Sequence, residues 1–114
     1  MNILADYEPR TVKQTRGPRI KFLGKLLEGE QWTTKGHRPL DMLLEVWQTP
    51  AGALVATSSS VPVDGGGIED LRAFVADSGV EAARDLAIMD FFDWDNHART
   101  MAKRLGWSMT VEVA

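Results

Sequence analysis

The sequence predicts an α+β fold of two layers, in which a four-stranded antiparallel sheet (order β-β-β-α-α-α-β) carries helices on one face. Three observations lead to this prediction. Apolar and polar residues alternate in the first half of the chain, apolar residues recur every three or four positions in most of the second half, and alternation returns near the C-terminus. Periods of 2 and 3.6 are typical of strands and helices, and strands followed by helices favour an antiparallel sheet covered on one side.

The N-terminal segment, residues 1–18, has no clean period and ends in Gly17-Pro18, a pair that interrupts regular structure. We therefore expect an irregular basic arm over residues 1–18 and a single α+β domain over residues 19–114. A chain of 114 residues can bury one hydrophobic core, and because it has no cysteine that core forms without disulfides.

Three strands are expected in the first half, over residues 19–27, 40–49 and 53–58. The last two flank the turn Pro50-Ala51-Gly52, in which glycine permits the positive φ that a tight turn requires. These two strands are therefore predicted to form a hairpin. The remaining segments of this half, residues 28–39 and 58–67, are predicted to be loops, the second because it contains three consecutive glycines.

Two helices are predicted directly after the glycines, over residues 68–77 and 80–92. In the first, Ile68, Leu71 and Val75 follow helical spacing, and two carboxylates occupy the first turn, where the helix dipole favours anions. In the second, small and apolar residues form one stripe.

A third helix is predicted over residues 96–105, with Asp93 or Asp95 as its N-cap and Gly106 as the residue that ends it. Residues 107–113 then alternate strictly, with Trp107 at the start of the apolar series. This alternation predicts a fourth strand with one buried and one solvated face.

Charge is divided unequally along the chain. Residues 1–38 contain eight bases and four acids, whereas residues 39–114 contain five bases and twelve acids, so the balances are +4 and −7 and their sum is the net charge of −3. Nine carboxylates lie between Asp64 and Asp95, where Arg72 and Arg84 are the bases. A chain polarised in this way can attract a charged partner.

The predicted helices cover one face of the sheet, which leaves the apolar residues of its outer face uncovered. This outer face and the charge division predict a non-enzymatic protein-binding module, of the kind that serves as a bacterial or mobile-element regulator or inhibitor. The partner is another protein or a second copy of the chain, bound through the outer sheet face or the acidic helices. The predicted docking residues are Leu43, Glu45, Trp47 and Leu54 on the sheet, and Glu69, Asp70, Asp77, Glu81 and Asp85 on the helices.

Two alternatives remain open. The basic residues near the N-terminus could contact a nucleic-acid backbone; these are Lys13, Arg16, Arg19, Lys21 and Lys25. A small metal-assisted enzyme could use Asp90, Asp93 and His97, whose spacings of three and four would place them on one face of a continuous helix. Neither histidine belongs to a nucleophile–base motif, so no catalytic residues and no cofactor are assigned.

The N-terminus lacks the basic and apolar regions of a signal peptide, and no run reaches the length of a membrane span. We therefore expect a cytoplasmic protein that does not enter the membrane. The absence of cysteine agrees with this compartment.

Two segments resemble the β-rich part of the bacterial EXLDI family. The family has a strand of the pattern basic-Phe-x-Gly, which corresponds here to Lys21-Phe22-Leu23-Gly24. It continues with a hairpin of the pattern aromatic-x-Thr-x-x-Gly, which corresponds to Trp47-Gln48-Thr49-Pro50-Ala51-Gly52. The resemblance covers residues 20–60 and implies a small bacterial accessory protein whose family has no established activity.

Overall fold

A computed structural model describes residues 6–65, 69–77, 79–111 and 113–114. Five strands form one antiparallel sheet in chain order, and two helices follow them. The strands are β1 (Glu8–Lys13), β2 (Arg19–Thr33), β3 (Leu40–Gln48), β4 (Leu54–Pro62) and β5 (Asp70–Ala76), and the helices are α1 (Glu81–Phe91) and α2 (Asn96–Leu105). The predicted class, α+β with an antiparallel sheet, is confirmed, whereas the predicted four strands and three helices are wrong.

The sheet curls until its two outer strands approach each other. The chain leaving β1 bonds to β5: Thr15 N donates to Leu71 O at 2.9 Å, Leu71 N donates to Thr15 Oγ1 at 2.8 Å, and Ala73 N donates to Gln14 Oε1 at 3.0 Å. These bonds satisfy backbone groups that an open edge would leave unpaired. The curled sheet therefore has an enclosed concave face and a convex face on which the helices pack.

A β-bulge in β2 changes which side chains face the helices. Leu26 pairs with Trp47, but Glu28 pairs with Val46, because the register shifts between them. Adjacent residues of β3 point to opposite faces, so Leu26 and Glu28 also point to opposite faces although they are two positions apart. The second half of β2 consequently directs polar side chains toward α2.

The main core lies between the convex face and the helices. Strands β3 and β4 contribute Leu44, Val46, Leu54 and Ala56, and the helices contribute Ile88, Met89, Met101 and Ala102, all of them buried. Burial of such side chains is the dominant favourable contribution to folding. The core holds both helices against the sheet.

Local signals are confirmed for the hairpin and for α2. Thr49 N donates to Ala53 O at 2.9 Å, and Gly52 has φ 90° as its turn requires. Asp95 caps α2 by accepting from His97 N at 2.7 Å, and Gly106 ends the helix with φ 74°. Each of these features depends on residues close together in the sequence.

The predicted helix over residues 68–77 is wrong, because Asp70–Ala76 forms strand β5. This segment pairs with β4, from Leu54 opposite Ala76 to Ser60 opposite Asp70. A short apolar run fits both periods, and hydrogen bonding to an available strand edge selects the extended form. Ile68, which began the predicted helix, lies outside the described residues.

Two terminal predictions are also wrong. Residues 8–13 are not an irregular arm but strand β1, which pairs with β2 from Glu8 opposite Gly24 to Lys13 opposite Arg19. Residues 107–111 form no strand; Trp107 and Met109 pack against the main core, and Val111 is 66% exposed. The edge of β5 that such a strand would need is already bonded to residues 14 and 15.

Both predicted loops are shorter than expected. Strand β2 continues to Thr33 and strand β4 continues to Pro62, so the polar stretches at residues 28–33 and 58–62 are extended sheet. Their serine, glutamate and threonine side chains lie on a pleated surface, and part of them faces the helices. Gly66 and Gly67 lie outside the described residues.

Candidate functional site

A cleft of about 240 Å³ lies where the sheet meets the turn between α1 and α2. Its floor is apolar and its rim is polar. The lining residues are Trp32, Met42, Leu44, Ser58, Ser60, Asp70, Arg72, Phe91, Phe92, Asp93 and Asp95. An apolar concavity with a few convergent polar groups is the usual form of a binding site.

The space in the cleft comes from small residues in the middle of the sheet. On β4, Ser58 lies opposite Leu44 and Arg72, and Ser60 lies opposite Asp70. These residues share the convex face because they pair directly across neighbouring strands. Serine side chains are small, so they leave volume that the larger lining residues surround.

The α1–α2 turn brings two carboxylates to the rim of the cleft. Asp93 and Trp94 have φ values of 54° and 53°, a left-handed conformation that costs a non-glycine residue about 1–2 kcal/mol. Trp94 N donates to Met89 O at 3.0 Å, and Trp94 Nε1 donates to Asp90 Oδ1 at 2.7 Å. These bonds hold the turn closed, so Asp93 and Asp95 both line the cleft.

The cleft carries an excess of negative charge. Asp70, Asp93 and Asp95 face one base, Arg72, whose guanidinium lies 5.5 Å from the centre of the Phe91 ring. Arg72 forms no ion pair with any carboxylate in the described part of the chain. The arrangement can accept a cationic group, with an aromatic floor beneath it.

The predicted acidic docking residues do not form one face. Asp70 lines the cleft, but Glu69 accepts from Ser59 Oγ at 3.3 Å, and Asp77 and Glu81 lie at the far end of α1. Asp85 is only 8% exposed and pairs with Arg84 at 3.3 Å.

Burial raises the pKa of Asp85, and the nearby Arg84 offsets part of that rise. Asp85 therefore belongs to a buried ion pair and not to an exposed acidic face. Of the five acidic residues in the predicted docking set, the structure places Asp70 at the cleft.

The predicted docking residues of the sheet lie on two different faces. Leu54 is 2% exposed and belongs to the main core. Trp47 faces the concave side and is 9% exposed, because Phe22 meets it edge-on at 6.2 Å and Arg10 covers its ring at 4.5 Å. The other two residues of this set, Leu43 and Glu45, are partly buried on the concave side. The predicted open apolar patch is therefore wrong, because β1 and the curl of the sheet cover it.

The three candidate metal ligands do not converge. Asp90 accepts from Trp94, Asp93 lines the cleft, and the His97 ring stacks on Trp32 at 3.8 Å. The described ranges contain no group of three side chains that could hold a metal ion. The break between α1 and α2 separates the residues that a continuous helix would have aligned.

A cluster of polar side chains lies between β2 and α2. The sequence does not predict it, because the β-bulge in β2 is what directs its glutamates toward α2. Arg104 donates to Glu30 and to Glu28, the latter at 3.3 Å, and His97 Nδ1 lies 3.5 Å from Glu30. Hydrogen bonds to Glu30 raise the pKa of Arg104. This cluster fastens α2 to the sheet next to the cleft, and Trp32 and His97 stack at the same place.

The basic residues lie on the convex side of the β1–β2 hairpin, beyond the helices. Lys13 and Arg19 are directly paired across the two strands, and Lys21 follows on the same face. Arg16 lies at the tip of the hairpin, and Lys25 is 4.0 Å from Asp6. In the ranges that the structure describes, the first four of these bases form no ion pair.

No family model, curated protein or solved structure matches this chain. Of the helices in the described ranges, neither is long and apolar enough to cross a membrane.

Proposed function

We propose that this chain is a small non-enzymatic binding module whose acid-rimmed cleft receives a basic segment of a partner protein. The observation that carries the proposal is the set of three rim carboxylates above an aromatic floor, next to an arginine that pairs with none of them. A lysine or arginine side chain of the partner would meet the carboxylates. An adjacent apolar residue would cover Phe91 and Met42.

The side chains in the cleft favour binding over catalysis. The hydroxyl groups of Ser58 and Ser60 are the possible nucleophiles, but the lining contains neither a histidine nor a lysine to activate them. The same residues are well placed to hydrogen-bond the backbone of a docked segment. We further propose that the module acts as a regulator or inhibitor in a bacterial cytoplasm. The likeness of residues 20–60 to the EXLDI family supports the bacterial part of this proposal alone, because that family has no established activity.

A peptide titration tests this function. An acetylated and amidated peptide with arginine beside leucine is expected to shift the amide NMR signals of Asp70, Arg72 and Asp93, and added salt should weaken its binding. The Asp70→Asn/Asp93→Asn variant is expected to lose most of the affinity. Asparagine tolerates the left-handed conformation at position 93, so this variant should fold.

The matched control is Asp77→Asn/Glu81→Gln, which removes the same charge from the far end of α1. It should bind as the unchanged protein does. Equal losses in the two variants, or no binding of the peptide, would contradict the proposal. Sedimentation of the chain alone shows whether the partner is a second copy.

A second function is favoured by the basic face of the β1–β2 hairpin. Lys13, Arg16, Arg19 and Lys21 are exposed and form no ion pair in the described ranges, so their charges are available to phosphates. We propose this hairpin as a contact for a nucleic-acid backbone. A two-stranded ribbon also has a width that fits the major groove of duplex DNA.

The Lys13→Gln/Arg19→Gln/Lys21→Gln variant tests the hairpin. Affinity for a short DNA duplex falls as salt is added, and each lost phosphate contact should make the slope of log affinity against log salt concentration less negative by about 0.9. The control is Lys35→Gln/Arg38→Gln/Lys103→Gln, which removes three exposed bases outside the hairpin. Identical salt slopes for the two variants would rule out the hairpin as the contact.

A further inference from the structure

The concave face of the sheet holds a second cavity, of about 190 Å³, that is partly open to solvent and distinct from the acid-rimmed cleft. All five strands contribute to its wall. The lining residues are Arg10, Thr11, Val12, Phe22, Glu45, Trp47, Thr57 and Leu71. A dry engineered cavity of about 150 Å³ is known to hold benzene, so this one is large enough for a small organic group.

Two aromatic rings give the cavity a fixed wall. Phe22 and Trp47 meet at a centroid distance of 6.2 Å with their planes inclined at 70°. Gly24 lies beneath them, and a Cβ atom at this position would be 2.4 Å from a ring carbon of Phe22. The missing side chain at position 24 therefore lets the two rings come together over the strand.

Arg10 places a positive charge on this aromatic wall. Its guanidinium carbon lies 4.5 Å from the centre of the Trp47 ring, and Glu8 accepts a hydrogen bond from it at 3.1 Å. Arg10 and Trp47 also line an open groove on the neighbouring surface, together with Gly24 and Leu26. Arg10 and Trp47 therefore lie between the cavity and this groove.

A carboxylate also lines the cavity, two residues from Trp47 on the same face of β3. Glu45 is partly buried and hydrogen-bonds Thr57, and Arg10 is the base whose charge acts on it. Burial raises the pKa of Glu45 despite both partners. A cation placed between Trp47 and Glu45 would meet an aromatic face and a partly buried carboxylate, whose attraction for a cation is stronger there than in bulk water.

We propose that this cavity is a binding site for a quaternary ammonium group, and that Arg10 occupies the cation position when no ligand is bound. A quaternary ammonium group has no N–H donors, so one carboxylate and an aromatic wall can satisfy it. Its methyl groups fit the apolar surface of Val12, Phe22 and Leu71. The ligand would displace the guanidinium, which can remain paired with Glu8 outside the cavity.

Choline is the probe, and the indole N–H signal of Trp47 in the NMR spectrum of the full chain is the readout. We expect saturable binding to the unchanged protein and roughly tenfold tighter binding to Arg10→Ala, because the competing cation–π contact is gone. Adding Glu45→Gln to the Arg10→Ala variant should remove this gain. If Arg10→Ala does not fold, choline binding to the unchanged protein, followed by saturation of the Trp47 signal, is sufficient to test the proposal.

Two controls distinguish this site from general attraction to tryptophan. Trp94 also has an arginine over its ring, Arg99 at 5.7 Å, but it is not part of the concave cavity that Glu45 lines. The Arg99→Ala variant uncovers this ring. Choline should therefore not saturate the Trp94 signal in that variant. The uncharged isostere 3,3-dimethyl-1-butanol should bind at least tenfold more weakly than choline. Equal binding of the two compounds, or an unchanged Trp47 signal with choline, would overturn the proposal.

Discussion

Replacing Trp47 by alanine is expected to lower the free energy of unfolding by about 4 kcal/mol, the middle of the range for removing a large aromatic side chain from a core. Trp47 is 9% exposed and is enclosed by Phe22, Arg10 and the neighbouring strand β4. The strands of the curled sheet are joined by backbone hydrogen bonds, so they cannot collapse into the space that the indole leaves. Urea denaturation followed by far-UV circular dichroism measures the loss.

Trp107→Ala is the matched control for this prediction. Trp107 packs against the edge of the main core but is only partly buried and lies outside the sheet and the helices. Its removal should cost about 1–2 kcal/mol, because less apolar area returns to water and the chain can close around the gap. If the free energy of unfolding fell equally in the two variants, Trp47 on the concave face would stabilise the fold no more than the partly buried Trp107 does.

The parts of the fold that the sequence predicts correctly depend on neighbouring residues. The Pro50-Ala51-Gly52 turn sets the hairpin, and Asp95 and Gly106 set the two ends of α2. Each signal acts within a few residues and needs no tertiary partner. Such elements can be predicted from a single sequence.

The errors occur where a distant segment decides the conformation. Asp70–Ala76 satisfies a helical spacing, but pairing with β4 makes it a strand. Glu8–Lys13 has no clear apolar period, because five of its six residues are exposed, yet it pairs along its whole length with β2. Long-range pairing overrides weak local preference in both cases.

The site was only partly predictable for the same reason. Asp70 and Asp93 were both candidate residues, but for different predicted functions, and the structure places them in one cleft. Their meeting depends on strand β5 and on the left-handed turn at Asp93 and Trp94, neither of which has a local sequence signal. The bulge that turns Glu30 toward α2 likewise has no local sequence signal.

Ile88→Ala is expected to cost about 3–4 kcal/mol on the helical side of the sheet. Ile88 is completely buried among residues of β3, β4 and both helices, so the variant leaves a cavity that rigid neighbours line on every side. Ile88→Val removes one methylene group and should cost about 1 kcal/mol. Glu81→Ala, on an exposed position of the same helix, serves as the control and should change stability by less than about 0.5 kcal/mol.

Two conservative substitutions, one on each face of the sheet, test whether the two faces contribute independently to stability. Val46 points toward Ile88 and its neighbour Trp47 points away, so the cores on the two faces share strand β3 but no side chain. Trp47→Phe and Ile88→Val should therefore have costs that add within about 0.5 kcal/mol in the double variant. A larger coupling would mean that strand β3 shifts as a unit, and that a change at the concave cavity reaches the acid-rimmed cleft through the sheet.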